Sequence, residues 1–234
     1  MLKVIKYIGY ICSLSFLTAC GEFIDPMEMD VIEGLTMSRH KADLMVGDTL
    51  ILDVSLTPAN KTAALRWSVA QGDSSAVNII GRQVVGKSAG NVCVGVQTST
   101  QVVEDSIIVT KMLSDTCHVR VFDWHTTANN SFPYETMVIA QLQIDNEEVT
   151  TQLGERRVAA TVAGKFRGKG IVRKDHGITY LLFRIGSYYY GETAIIECYD
   201  KQRYECIVVG KITLDGNTHG QLSAPLQLRG QFLP

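Results

Sequence analysis

Residues Arg156 to Lys174, RRVAATVAGKFRGKGIVRK, hold seven basic side chains and no acidic one, in a chain whose net charge is −2. Within this run Lys165, Arg167 and Lys169 stand at i, i+2 and i+4. On a β-strand that spacing sends all three side chains out of one face. Such a stripe would concentrate sulfated or uronic glycans or lipid headgroups. Its binding would weaken as salt shortens the Debye length, from about 10 Å at 0.1 M to about 3 Å at 1 M. The same charges also suit a solvated outer face, balanced by Glu155, Asp175 and neighbouring strands. A second group is Gly186-Ser-Tyr188-Tyr189-Tyr190-Gly191, three tyrosines in a glycine-flanked turn. Exposed aromatics offer sugars or partner proteins a large, rigid contact area. Alternate tyrosines can equally pack at a strand end. The chemistry on offer at Lys165, Arg167, Lys169, Tyr188, Tyr189 and Tyr190 is recognition.

Bond-making chemistry finds no footing. The chain contains no H-E-x-x-H, no G-x-S-x-G, no P-loop and no C-x-x-C. His40, His118, His125, His176 and His219 are scattered, none at ligand spacing from another. Asp215-Gly-Asn217-Thr-His219-Gly220 resembles the start of a calcium loop, but position 12 is Leu226 where a bidentate acid is needed. A plain turn is expected there, and likewise a hairpin turn at Asp145-Asn146-Glu147-Glu148. Gly72-Asp73-Ser74 resembles the nucleophile block of some esterases, yet no Asp-x-x-His partner motif follows it. The expectation is a protein without catalytic residue, metal or cofactor, and not an enzyme.

The opening segment gives an address. Lys3 and Lys6 precede Tyr7 to Ala19, thirteen residues without a charge, which suits the h-region of an export signal. That run is too short to span a bilayer, which takes about 20 apolar residues. Leu17-Thr18-Ala19-Cys20 resembles the bacterial lipobox, whose cysteine is lipidated and becomes the first mature residue. The alternative is an ordinary secretory signal with an incidental Cys20. The lipobox reading makes residues 1–19 the signal peptide and 20–34 a lipidated cysteine with its tether. The mature chain is then held to a membrane by acyl chains without crossing it. Gly21 to Gly34 carries five acidic residues and no basic one. This resembles the surface-export signal of Bacteroides-like lipoproteins and implies an outer-membrane protein facing the cell exterior.

Loss of Lys3 and Lys6 moves the net charge from −2 to −4, which makes no case for nucleic acid. With 46% hydrophobic residues and only five prolines, folded modules are expected rather than a disordered stalk. Residues 35–112 read as strand after strand. Leu50, Leu52, Val54 and Leu56 alternate along Thr49–Leu56, and Pro58-Ala-Asn60 signals a turn. Short strands with regular turns point to a β-sandwich. Val46-Gly47-Asp48, Thr57-Pro58-Ala59, Trp67-Ser68 and Val85-Gly86-Lys87-Ser88-Ala89-Gly90 fall in the order and spacing of the bacterial immunoglobulin-like group 2 domain, which this segment resembles. The resemblance implies a spacer or adhesion module, with Trp67 in the core or, alternatively, exposed for sugar stacking.

Residues 113–234 continue the alternation, from Val119 and Val121 through at least six strands to a closing one over Leu226–Phe232, and read as a second β-sandwich. Ala160, Val162, Gly164, Arg167 and Gly168 resemble the A-F-V-x-G-x-C-R-G core of a C-terminal β-module of Bacteroidetes surface proteins. Thr161 and Phe166 depart from that pattern, and Arg167 is also read as structural, pairing with a carboxylate. Cys198 and Cys206 flank a midpoint at Gln202. An odd-numbered loop centred there would set them opposite one another, with Cβ atoms about 4.5–5.5 Å apart. A disulfide needs about 3.5–4.5 Å, so only a non-hydrogen-bonded pair would allow one. Cys93 and Cys117 are expected to stay unpaired.

The whole reads as an all-β, lipid-anchored surface protein of two tandem immunoglobulin-like sandwiches. Its expected work is adhesion or extracellular binding of a glycan or surface protein. A structural or fimbrial-type subunit and an accessory component of a glycan-uptake system are the alternatives.

Overall fold

The computed structural model describes residues 31–105, 107–125, 131–149 and 155–232. Cys20, the signal segment and the tether up to residue 30 lie outside the described residues. The chain is all-β, as its alternation requires.

The first module comprises β1 (Gly34–Met37), β2 (Lys41–Met45), β3 (Thr49–Ile51), β4 (Val54–Thr57), β5 (Arg66–Gly72), β6 (Val77–Ile80), β7 (Gln83–Gly86), β8 (Gly90–Glu104) and β9 (Ile107–Phe122). A four-stranded sheet of order β2-β9-β8-β5, a three-stranded sheet β3-β7-β6 and the pair β1-β4 enclose its core. Leu44, Leu50, Val84, Val94 and Val96 are fully buried there. The strand expected over Thr49–Leu56 is two, because the chain leaves the sheet at Leu52-Asp53 and β4 pairs with β1 instead. Val-Gly-Asp and the later Gly86 meet across the module: Gly47 N donates to Gly86 O at 2.9 Å and Gly86 N to Asp48 O at 3.0 Å. A Cβ at Gly86 would lie 2.9 Å from Met45 O, so only glycine fits. Trp67 is partly buried and packs against this core.

β9 runs unbroken across the boundary expected between residues 112 and 113, paired with β8 throughout. Val119 and Val121 therefore fill the first core and not the second.

The second module comprises β10 (Tyr134–Ile144), β11 (Glu147–Glu148), β12 (Arg156–Val162), β13 (Lys165–Asp175), β14 (Ile178–Ser187), β15 (Glu192–Asp200), β16 (Glu205–Leu214), β17 (Thr218–His219) and β18 (Leu226–Gly230). They form one sheet of order β11-β10-β14-β13-β12-β15-β16, with β17 and β18 added parallel to β10. The sheet folds over on itself until β16 meets β18, where a Cβ at Gly210 would sit 2.6 Å from Leu228 Cδ2. Phe183, Ile185, Ile196, Leu142 and Leu228 fill the space between the two layers.

The β15–β16 hairpin also reaches into the first module. Asp43 N donates to Tyr204 O at 2.8 Å, Tyr204 Oη to Thr49 O at 2.8 Å, and Lys201 Nζ lies 2.9 Å from Asp48 Oδ1. Phe122 packs against Trp124 and the buried Tyr199, with ring centres 4.7 and 5.0 Å apart.

Candidate functional site

Ala163-Gly164 joins β12 to β13 with positive φ at both residues, 49° and 74°, the geometry of a two-residue hairpin turn. Pairing starts in register, Val162 opposite Lys165 and Thr161 opposite Phe166, but Ala160 then faces Gly168. Arg167 is the extra residue of a β-bulge, a device that re-aims a side chain. This overturns the expected stripe. Lys165 stands opposite Val162 and Lys169 opposite Ala159, positions of opposite parity on β12, so the two exposed lysines leave opposite faces.

Arg167 instead turns under the tyrosine turn, its side chain only 8% exposed. Its guanidinium lies 4.9 Å from the Phe132 ring centre and 4.6 Å from that of Tyr188, within cation–π range. Arg167 Nη2 lies 3.5 Å from Glu192 Oε1, the carboxylate partner expected of a structural arginine. The other oxygen of Glu192 accepts from Tyr188 N at 2.8 Å and Tyr189 N at 3.4 Å. One carboxylate thus pins the turn's backbone and neutralises the cation beneath it. Among the described residues the buried Arg167 Nε and Ser187 Oγ have no hydrogen-bond partner.

Two rings complete the platform. Phe132 lies over Gly186, where a Cβ would come within 1.9 Å of the ring, and meets Tyr188 edge-on at 5.2 Å. Tyr134 packs against Tyr190 at 4.2 Å. Tyr190 also rests on Gly216, whose loop is closed by Asp215 accepting from Asn217 N and Asn217 Nδ2, each at 2.9 Å. Those bonds, with His219 Nε2 at 3.0 Å, hold the Asp215 carboxyl down to about 2. The loop is the plain turn expected. Tyr189 and Tyr190 remain 73% and 61% exposed. Tyr188 does the packing while its two neighbours present their faces to solvent. The sequence reading missed Phe132, Tyr134 and Glu192. Only Glu192, an acid directly after the glycine, carried a local signal.

The other candidates resolve as structure. Asp73 caps a 3-10 turn over Ser74–Ala76, accepting from Ser75 N at 2.8 Å and Ser75 Oγ at 2.7 Å. The hairpin between Cys198 and Cys206 has four loop residues, closed by Asp200 opposite Glu205, not an odd loop about Gln202. Cys198 therefore faces Ile207 and Cys206 faces Tyr199, neighbouring positions that point to opposite sides of the sheet. The expected disulfide does not form, and Cys93, Cys117, Cys198 and Cys206 are all free thiols. Burial raises Cys198 to about 12 and Cys117 to about 11. No group of three or more His, Cys, Asp or Glu side chains suited to a metal ion occurs among the described residues.

No protein-family model matches the chain, and no curated protein matches it. Among solved structures it is similar to domains 4–9 of the surface layer protein SbsC, at 13% identity and TM-score 0.29 over 80% of this chain and 31% of that one. It is similar to a marsupial T cell receptor at 12% identity and TM-score 0.28, over 79% and 97% of the two chains. A third is the Bacteroides ovatus protein SGBP-B from a mixed-linkage glucan utilization locus, solved with a heptasaccharide, at 11% identity and TM-score 0.22 over 80% and 48%. The chain spans about a third of the first of these and about a quarter of SbsC domains 1–6. At such scores nothing about ligand or activity passes to this chain. Immunoglobulin-like and fibronectin-like sandwich domains recur among these neighbours, and the chain has the same all-β architecture.

Proposed function

We propose that this chain is a surface lipoprotein, anchored to the outer membrane through Cys20, that binds an extracellular glycan at the tyrosine turn of its second module and carries out no reaction on it. In this reading the first module is the bacterial immunoglobulin-like group 2 spacer that its motifs resemble. The observation that supports it is the pair Tyr189 and Tyr190, exposed on a turn that is not free to collapse. Glu192 holds the backbone, Arg167 and Phe132 support it from below, and Tyr134 and Gly216 fix the ring of Tyr190. A ring held open in this way binds at low entropic cost, because little freedom is left to lose.

The test is a glycan array probed with the full chain carrying Cys20→Ala, followed by titration of any retained sugar. Tyr189→Ala is expected to lower affinity about tenfold, the scale of truncating an aromatic anchor. Wild-type chain that retains no glycan, or a sugar bound equally by the Tyr189→Ala variant, defeats the reading. The anchor is tested separately: Cys20→Ala should move the protein out of the membrane fraction and end acyl labelling.

A further inference from the structure

The longest hairpin of the molecule outruns its sheet. β5 pairs with β8 only from Val92 to Gln97, and β2 with β9 only from His118 to Phe122. Beyond them, seven residue pairs from Thr98–Leu113 to Glu104–Ile107 form a two-stranded arm. Val103, Ile107, Ile108, Val109 and Met112 are all exposed on it, with Ile107 at 66% and Ile108 at 57%. The outer edge of β9 along residues 107–112 pairs with no strand among the described residues. Natural edges of this kind are blunted by proline, bulges or several charges. Here the ladder has no register shift, residues 107–112 contain no proline, and Lys111 is their one charge. An apolar, regular edge of this kind is an interaction surface.

The sequence of the edge says what it pairs with. About Ile108, the residues read the same in chemistry in both directions: Ile107 and Val109 on either side, then Asp105 and Lys111 of opposite charge. We propose that two copies of this chain pair antiparallel through β9, about a two-fold axis at Ile108. In that register Ile108 faces Ile108 of the second copy, Ile107 faces Val109, and Asp105 faces Lys111, twice over by symmetry. Neither Asp105 nor Lys111 has an ion-pair partner among the described residues. Because Val103 is opposite Ile108 within each arm, one face gains an unbroken row, Val103–Ile108–Ile108–Val103, across four strands. On the other face Val102 and Val109 continue into Ile107 and Glu104 of the second copy. A shift by one residue would set Lys111 opposite an uncharged side chain and would break the Ile108 row, so charge and packing select the same register. The surface is remote in sequence from the tyrosine turn, and the proposal does not depend on the glycan reading.

Sedimentation velocity of the full chain carrying Cys20→Ala, over a concentration series, tests this. A reversible dimer is expected. Ile108→Lys sets like charges face to face at the axis and should raise the dissociation constant about tenfold or more. Lys111→Asp alone should weaken the dimer, and Asp105→Lys with Lys111→Asp should restore it. Ile108→Cys should cross-link two chains on mild oxidation. Circular dichroism checks that each variant keeps its strands. A chain that stays monomeric throughout overturns the proposal. So does a dimer unmoved by Ile108→Lys, or one that the paired charge reversal fails to restore.

Discussion

Asp43 and Cys206 hold the two modules together: Asp43 Oδ2 accepts from Cys206 N at 2.9 Å while Oδ1 accepts from Arg120 Nε at 2.7 Å. Arg120 comes from β9 of the first module and also reaches Glu197 of the second at 3.6 Å. Asp43 is nearly buried, so each of its bonds replaces water that cannot return.

Removing that carboxylate should loosen the junction. Asp43→Ala leaves the Cys206 amide and the Arg120 guanidinium without their acceptor, at a cost of about 1–3 kcal/mol, discounted because Arg120 is partly solvated. Urea unfolding followed by circular dichroism should show an earlier midpoint. An unchanged midpoint would mean that the hairpin contacts at Tyr204 and Lys201 hold the modules by themselves.

The tyrosine turn should depend on Glu192. Glu192→Ala frees the amides of Tyr188 and Tyr189 and strips Arg167 of its counter-charge. Hydrogen exchange at both amides should quicken, with a stability loss of about 1–3 kcal/mol from the orphaned cation. Arg167→Lys should not rescue the site, since an ammonium cannot present a flat face to Phe132 and Tyr188 together. Exchange that matches wild type in the Glu192→Ala protein would show that the rings alone fix the turn.

Acid should reveal Asp215. Its carboxyl is held down to about 2 in the folded chain, first by the Asn217 side-chain bond, against 3.8 for a free aspartate. Between those values the unfolded chain binds more protons than the folded one. The contribution is therefore complete above about pH 4 and fades as pH falls through 2. A carbon-detected titration of Asp215 should give a midpoint well below 3.8, and Asn217→Ala should raise it. A midpoint near 3.8 in the wild type would refute the loop geometry.

The cysteines offer a chemical check on strand register. Alkylation of unfolded, unreduced protein should label Cys93, Cys117, Cys198 and Cys206. In the native state Cys117 and Cys198 should react slowest at pH 8, since both are buried and thiolate is scarce. A peptide cross-linked between Cys198 and Cys206 would contradict the four-residue hairpin.

The all-β architecture was readable from alternation alone. Leu50, Val94 and Val96, and in the second module Ile185 and Ile196, lie inside because side chains of a strand alternate faces whatever that strand pairs with. Turns declared themselves just as locally, as at Gly47 and Gly164, where positive φ is needed. Period alone cannot say which residue lies opposite which. The two strands of each hairpin settle that together, and a slip of one residue reverses every face beyond it. The bulge at Arg167 split an apparent stripe of three cations, sent the middle one beneath a turn, and left the two lysines on opposite sides. The four-residue loop parted Cys198 from Cys206 by the same arithmetic. Glu192 beneath Tyr188 and Asp43 beside Cys206 lie further out of reach of the sequence, because each contact exists only where separately folded segments meet.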